Sequence, residues 1–201
     1  KLQAHPYMDR WLASQAQLWH DLPPRVEDTV YGTLLLSMVR RKALHCAALL
    51  RGAAEEMATD KAIADKYAPL FLGVAEQFAL LAVSAEEDWD AAAKRRVDFP
   101  RLTPVRKCGD EALKAKMQGV WNGCKKTAKG FDEVFSVTSA EAMEDLRAMA
   151  PAMLALLKLT ADFSRAYQEE KRRRNAADFS DQEHEAIDLL PGADGQPPDL
   201  A

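Results

Sequence analysis

Apolar positions recur at three- and four-residue steps along nearly the whole chain, the spacing that lines one side of an α-helix. Tyr7, Trp11, Leu12, Leu18 and Trp19 form a first stripe, interrupted by Gln15 and closed by Asp21-Leu-Pro-Pro. A second helix is predicted over residues 26–57, carrying Tyr31, Leu35, Met38, His45 and Leu49. It is apolar nearly all round at its middle, the mark of a helix central in its bundle. Tyr67, Phe71, Val74, Phe78, Leu81 and Trp89 predict a third, starting near Pro69 because proline suits a first helical turn.

Phe99-Pro-Arg-Leu-Thr-Pro reads as extended, since each proline pushes its predecessor out of the helical region. A fourth helix follows from Asp110 to the neighbourhood of Phe135. The fifth opens at Thr138, with Glu141 three residues on to complete a capping box. It runs through Leu146, Met153, Leu157, Phe163 and Tyr167 to a run of four cations, Lys171 to Arg174. Pro151 lies inside this pattern and should bend it or split it. A sixth helix starts at Asp178-Phe-Ser-Asp, and the Pro- and Gly-rich tail after it is irregular. The pattern contains no strand and no internal repeat, so the expected fold is an all-α bundle of five to seven helices.

Composition narrows this picture. At 201 residues the chain is long enough to bury a sizeable core in one domain. The absence of an uninterrupted apolar run of ~18 residues argues against a membrane span. Its start at Lys1, without a methionine, reads as a piece of a longer polypeptide, and any targeting segment could have been cut away with the rest. Cys46, Cys108 and Cys124 are odd in number and share no short spacing. They suggest neither a disulfide framework nor a zinc site, and point to a reducing cytoplasm and to small buried thiols rather than nucleophiles.

Charge changes the picture more. The net charge is −4, yet residues 94–129 hold eleven Lys and Arg against Asp98, Asp110 and Glu111. On the fourth helix, Leu113, Met117, Val120, Cys124, Ala128 and Phe131 share one side at ~100° per residue, and Lys114, Gln118, Asn122, Lys125, Lys126 and Lys129 share the other. Together with Lys94-Arg95-Arg96, Arg106 and Lys107, that stripe suits a phosphate backbone, because each neutralised phosphate releases condensed counterions.

Other candidates for chemistry fall away. Gly119 to Thr127 has three residues between its glycines where a phosphate-binding loop needs four, and it stands in a helical context. Of Glu86, Glu87, Asp88 and Asp90, only the first and last share a helix side, so the group reads as a solvated surface rather than a cation site. His5, His20, His45 and His184 have no partner at metal-ligand spacing, and His45 is expected in the core. No catalytic residue and no metal ligand is expected.

The C-terminal stretch carries a resemblance. Tyr167, Lys171 and Arg172, then Asp178-Phe-Ser-Asp-Gln-Glu-His, resemble the segment of UvrD-like helicases where an inserted helical subdomain returns to the first RecA-like motor domain. The form is most similar to the AddA subunits of bacterial AddAB helicase-nucleases, with Gln182 where a Leu is usual. His5-Pro-Tyr-Met-Asp-Arg-Trp-Leu is similar, more loosely, to the helix that opens the same insertion.

The resemblance implies that residues 1–177 are a 1B-type helical subdomain and residues 178–201 the return segment, with a tail that can be disordered. It implies an accessory, non-catalytic, DNA-contacting part of an ATP-dependent helicase/exonuclease of double-strand break repair and recombination, in the cytoplasm and away from membranes. ATP and Mg would bind elsewhere in the parent chain, and an AddB-like subunit would be its partner. The expected DNA contacts are Arg106, Lys107, Lys114, Lys125, Lys126, Lys129, Lys171 and Arg172. The expected junction residues are Asp178, Phe179, Ser180, Asp181 and Glu183: Asp178 or Ser180 caps the sixth helix, Glu183 completes a Ser-x-x-Glu box, and Phe179 packs on the motor domain. The rival reading is a protein-protein module whose basic patch docks an acidic surface of a partner.

Overall fold

The computed structural model describes residues 8–105 and 109–183. It is all-α, as the periodicity predicts, with six α-helices among the described residues: α1 (Met8–His20), α2 (Val30–Glu56), α3 (Lys61–Glu87), α4 (Trp89–Ala93), α5 (Glu111–Val134) and α6 (Ser139–Arg174). A further helical turn opens at Phe179. The chain divides into two compact units, residues 23–145 and residues 1–22 with 146–201, and α6 runs from the former into the latter.

The unit of residues 23–145 is built on α2, α3 and α5. Val26–Asp28 form a 3₁₀ turn, and Thr29 then caps α2: its hydroxyl accepts from the Gly32 N–H at 2.9 Å and donates to the Val26 carbonyl at 2.6 Å. Glycine is required at 32, because a Cβ there would stand 1.9 Å from the Val26 oxygen. The helix therefore starts four residues later than its apolar pattern suggests. Its buried side is also a different one. Leu36, Val39, Ala43, Cys46, Ala47, Leu50, Ala53 and Ala54 face the core, whereas Tyr31, His45 and Leu49 are exposed. Alanines win the inward positions because small side chains let helices approach closely, so a run apolar all round does not reveal which side is covered.

Helix α3 begins at Lys61, eight residues before Pro69, and Asp60 is its cap, accepting from the N–H groups of Ala62 (2.9 Å) and Ile63 (3.2 Å). Pro69 is tolerated inside the helix because it lies on the exposed side, where water can satisfy the carbonyl it leaves unbonded. By length and hydropathy α3 alone among the described helices could cross a membrane, contrary to the expectation from apolar runs. Ile63, Tyr67, Phe71, Val74, Phe78 and Leu81 on it are instead fully buried core residues. Trp89, assigned from its spacing to the same helix, belongs to α4, because Asp88 breaks the ladder and caps the next helix through the Ala91 N–H.

An aromatic column holds α3 to α5. Tyr67 stacks on Phe71, Phe71 meets Trp121 at 4.8 Å between ring centroids, and Phe78 meets Phe131 edge-on at 6.4 Å. Truncating a fully buried ring of this kind costs about 3–5 kcal/mol. Residues 99–105 carry no helix and run against α3, with the Tyr67 hydroxyl donating to the Thr103 carbonyl (3.1 Å) and the Lys66 ammonium to that of Pro104 (2.6 Å). The second oxygen of Asp60 accepts from the N–H groups of Gly109 and Asp110, so one carboxylate fixes both the start of α3 and the approach to α5. Those four backbone donors outweigh burial and hold the Asp60 carboxyl below its ordinary range.

At the other end of this unit, Trp89 donates from Nε1 to the Val137 carbonyl (3.0 Å) and packs edge-on against Phe135. Asp90 accepts from the Ser139 hydroxyl (2.7 Å) and N–H (3.0 Å) at the start of α6. The predicted capping box is present: the Thr138 N–H donates to Glu141 at 2.8 Å and the Glu141 N–H to the Thr138 hydroxyl at 3.2 Å. Three of the four acids in residues 86–90 thus have structural partners, and Glu87 is exposed. Asp88 and Asp90 fix helix starts, and Glu86 pairs with Arg40 of α2.

Helix α6 is one helix of 36 residues, not split at Pro151, which is exposed. In the unit of residues 1–22 and 146–201, Leu12 and Trp19 are the buried side of α1, and Ala150, Ser164 and Lys171 are the buried positions of α6. Phe163, assigned to the covered stripe of α6, is exposed.

Candidate nucleic-acid interface

Helix α5 is positioned by its cap and its core side. Asp110 accepts from the Leu113 N–H at 2.8 Å, and Leu113, Met117, Trp121, Cys124 and Phe131 are buried. Trp121 is absent from the predicted apolar side and stands where Val120 and Ala128 are expected; both of those are only half-buried. Cys46 of α2 and Cys124 of α5 are buried free thiols, with the Cys124 sulfur 4.0 Å from the Cys46 carbonyl. Contact with Cys46 and burial push the Cys124 thiol upward, away from the reactive thiolate.

The core side fixes what the opposite side presents. Lys125, Lys126 and Lys129 are exposed, and none makes an ion pair with a described residue. Gln118 and Asn122 are exposed on the same side. Lys114 is different: only 20% of its side chain is exposed, and its ammonium pairs with Glu111 at 3.1 Å. Lys116, outside the predicted stripe, is bound to Glu56 at 2.6 Å and ties α5 to the end of α2. Arg106 and Lys107 lie outside the described residues, as do Cys108, His5 and His184. The exposed ridge therefore consists of Lys125, Lys126 and Lys129. Arg101, missing from the sequence-derived set, is exposed beside them in a cleft with Gln118, Asn122 and Lys125. Nothing in its spacing marks it, because it lies on the extended segment rather than on a periodic element.

The second cationic run is arranged differently. Asn175, at φ 50°, is the left-handed residue that ends α6. The Ala176 N–H donates to the Lys171 carbonyl (3.0 Å) and the Asn175 N–H to that of Arg172 (3.2 Å), the paired bonds of a Schellman turn. The turn brings Asp178 and Asp181 back over the end of the helix. The Asp181 N–H donates to the Asp178 carboxylate (3.0 Å) and the Asp178 N–H to that of Asp181 (2.9 Å), a reciprocal cap for the turn beginning at Phe179. Asp178 is thus the cap, as one of the two expected alternatives, but its reciprocal partner is Asp181 and not Glu183, which is exposed. Asp178-x-x-Asp has the same spacing as Ser180-x-x-Glu, and the shorter acid can also reach back.

Lys171 closes this motif. Its ammonium donates to both oxygens of Asp181 (2.6 and 2.7 Å) and to Asp178 (3.1 Å), and sits 4.7 Å from the centre of the Tyr167 ring. Tyr167 donates its hydroxyl to Asp178, and Gln168 its amide to Asp181. Burial lowers the affinity of Lys171 for its proton, but the bonds to the two carboxylates outweigh it and hold the pKa above the ordinary lysine value. The same ammonium, with the Asp178 N–H, pulls the Asp181 carboxyl down to about 2. At 8% exposure Lys171 presents no charge outward, which corrects its assignment as a DNA contact. Arg173 and Arg174 are held by Glu170, and Arg172 remains exposed. Ser180 is half-buried, and Phe179 is 84% exposed.

Context for these features comes from other proteins. No family model matches the chain. It is 31% identical over 94% of its length to the AddA protein of Carboxydothermus hydrogenoformans, a subunit of an ATP-dependent helicase/nuclease. The proteins of the same name from Acetivibrio thermocellus and Desulforudis audaxviator are 28% and 29% identical over 94% and 98% of the chain. In each case the chain spans 16% of the relative's own length. The chain is therefore an AddA-like segment, alike along nearly its whole length to one stretch of these ATP-dependent helicase/nuclease proteins.

Proposed function

We propose that this chain is the accessory DNA-contacting helical subdomain of an ATP-dependent helicase/exonuclease subunit that acts in double-strand break repair and recombination. It carries no catalysis of its own. ATP and Mg are handled elsewhere in the parent polypeptide, and an AddB-like subunit completes the enzyme. The observation that carries this reading is the ridge of Lys125, Lys126 and Lys129, three exposed ammonium groups without carboxylate partners among the described residues, in a chain of net negative charge. Cations that a protein does not pair internally remain available for phosphates, and backbone neutralisation gives affinity without reading sequence.

Binding of a blunt duplex to the purified chain, followed across a salt series, tests the reading. With three phosphate contacts the log–log slope should be roughly −0.9 per contact. A slope indistinguishable from zero removes the proposal. A protein-docking role is the second reading, and the exposed apolar side of α6, with Met149, Leu156, Leu159 and Phe163 at helical spacing, favours it. Capture of the partner subunit that survives nuclease treatment and is lost on Leu159→Lys and Phe163→Lys would support this second role.

A further inference from the structure

Beside the lysine ridge, in the unit of residues 23–145, lies an open cleft of about 360 Å³. One wall is the extended segment Phe99, Pro100, Arg101 and Leu102; the other is α5, through Gln118, Trp121, Asn122 and Lys125. Its size falls within the roughly 300–1,000 Å³ of small-molecule sites.

The lining is divided by chemistry. Phe99, Pro100, Leu102 and the edge of Trp121 supply apolar surface, and Phe99 is locked in place by edge-on contacts with Trp121 (5.0 Å) and Phe78 (6.0 Å). The other side is polar and unspent. Gln118 and Asn122, one helical turn apart, are exposed and make no hydrogen bond with a described residue, and neither do Arg101 and Lys125. The two cations approach from opposite walls.

From this we infer that the cleft is a nucleotide subsite, taking one unpaired nucleotide of a strand whose backbone follows the Lys125–Lys129 ridge. The inference rests on the DNA-contacting role proposed above and specifies it. Arg101 and Lys125 hold the flanking phosphates, the fork of the guanidinium matching two phosphate oxygens. The base lies against the Phe99 and Leu102 wall, and the Gln118 and Asn122 amides, each with donors and an acceptor, meet its edge. A phosphate alone has no use for an apolar wall. A paired base cannot use one either, because its faces are stacked and its edge is occupied, whereas an unpaired base gains by stacking on an aromatic surface.

The test compares two fluorescein-labelled probes on the purified chain at low salt: an oligothymidylate of about twelve nucleotides, within the span of single-strand sites, and a blunt duplex of the same length. All substituted positions are exposed, so the fold should be retained, and circular dichroism verifies this. Arg101→Ala with Asn122→Ala should weaken the single strand about tenfold and the duplex less than twofold. The side-chain amide resonances of Gln118 and Asn122 should shift when the oligothymidylate is added and stay in place with the duplex. Equal losses for both probes, or no loss for the single strand, would overturn the subsite. Lys126→Glu with Lys129→Glu separates the two ideas: if neither probe is weakened, the ridge reading fails, while the cleft stands on the Arg101 and Asn122 result.

Discussion

Two runs of cations look alike on paper and end in opposite states. Lys125, Lys126 and Lys129 on α5 keep their charges in solvent, whereas Lys171, Arg173 and Arg174 at the end of α6 are bound by the chain's own carboxylates. The difference lies in which acids come within reach. Glu170 stands three and four residues before Arg173 and Arg174, the favourable order for a helical pair, and the turn at Asn175 folds Asp178 and Asp181 onto Lys171. Lys129 has Asp132 and Glu133 at the same distances but in the reverse order, and pairs with neither. Charge density along a sequence therefore says less about binding than the acids that local geometry returns to it.

The comparison predicts effects of different kinds. Reversing Lys125, Lys126 and Lys129 to Glu together should lower duplex affinity by about two orders of magnitude at low salt and flatten the salt slope by roughly 0.9 per lost contact. The melting temperature should hold within a degree or two, since surface charges far from partners contribute within about 0.5 kcal/mol. A large fall in melting temperature would mean the ridge is structural, and the contrast would collapse. Lys171→Met should do the reverse. It leaves Asp178 and Asp181 without their shared donor, a loss of about 1–3 kcal/mol for hydrogen bonds to charged groups. Duplex affinity should change less than twofold, and a tenfold loss would return Lys171 to the DNA-contacting set.

How much of this was legible in the sequence depends on the range of the interaction. Thr138 and Glu141 form their box as read, and Tyr67, Phe71, Phe78 and Leu81 are buried as their spacing requires, because both features are local to one helix. The covered side of α2 was not legible. Its leucines point both ways, and the choice was made by alanines and by a glycine that a backbone carbonyl approaches too closely for any Cβ. Trp121 and Arg101 were missed for a related reason. Their places depend on an extended segment pinned to α3 by Tyr67 and Lys66, thirty-odd residues away in sequence. The Asp178–Asp181 cap was half legible, in that its first residue was among the candidates while its reciprocal partner was not.

A titration sharpens the contrast on a smaller scale. Asp181 has its pKa lowered to about 2 by Lys171, so the stability it contributes is present above the ordinary carboxylate value and is lost as pH falls through about 2. Carbon-detected NMR of the Asp181 side chain should show a midpoint near 2, and amide exchange at Phe179 and Ser180 should accelerate over the same window. In the Lys171→Met protein the midpoint should rise toward the ordinary aspartate value. A midpoint already near that value in the unaltered chain would show that the ammonium does not hold the carboxylate in solution.

The smallest expected effect isolates the turn itself. At φ 50° an L-residue with a Cβ is disfavoured, and Asn is among the few that tolerate it. Asn175→Gly should change stability by no more than about 0.5 kcal/mol, because glycine is the usual residue at this position. Asn175→Val adds a branched side chain where the backbone least accepts one and should cost about 1–2 kcal/mol. If the turn is what delivers Asp178 and Asp181 to Lys171, the valine variant should also raise the Asp181 midpoint while leaving duplex affinity unchanged. A variant that loses stability yet keeps the low midpoint would separate the turn from the carboxylate pair, and the pairing would then have to be credited to the cap at Phe179 alone.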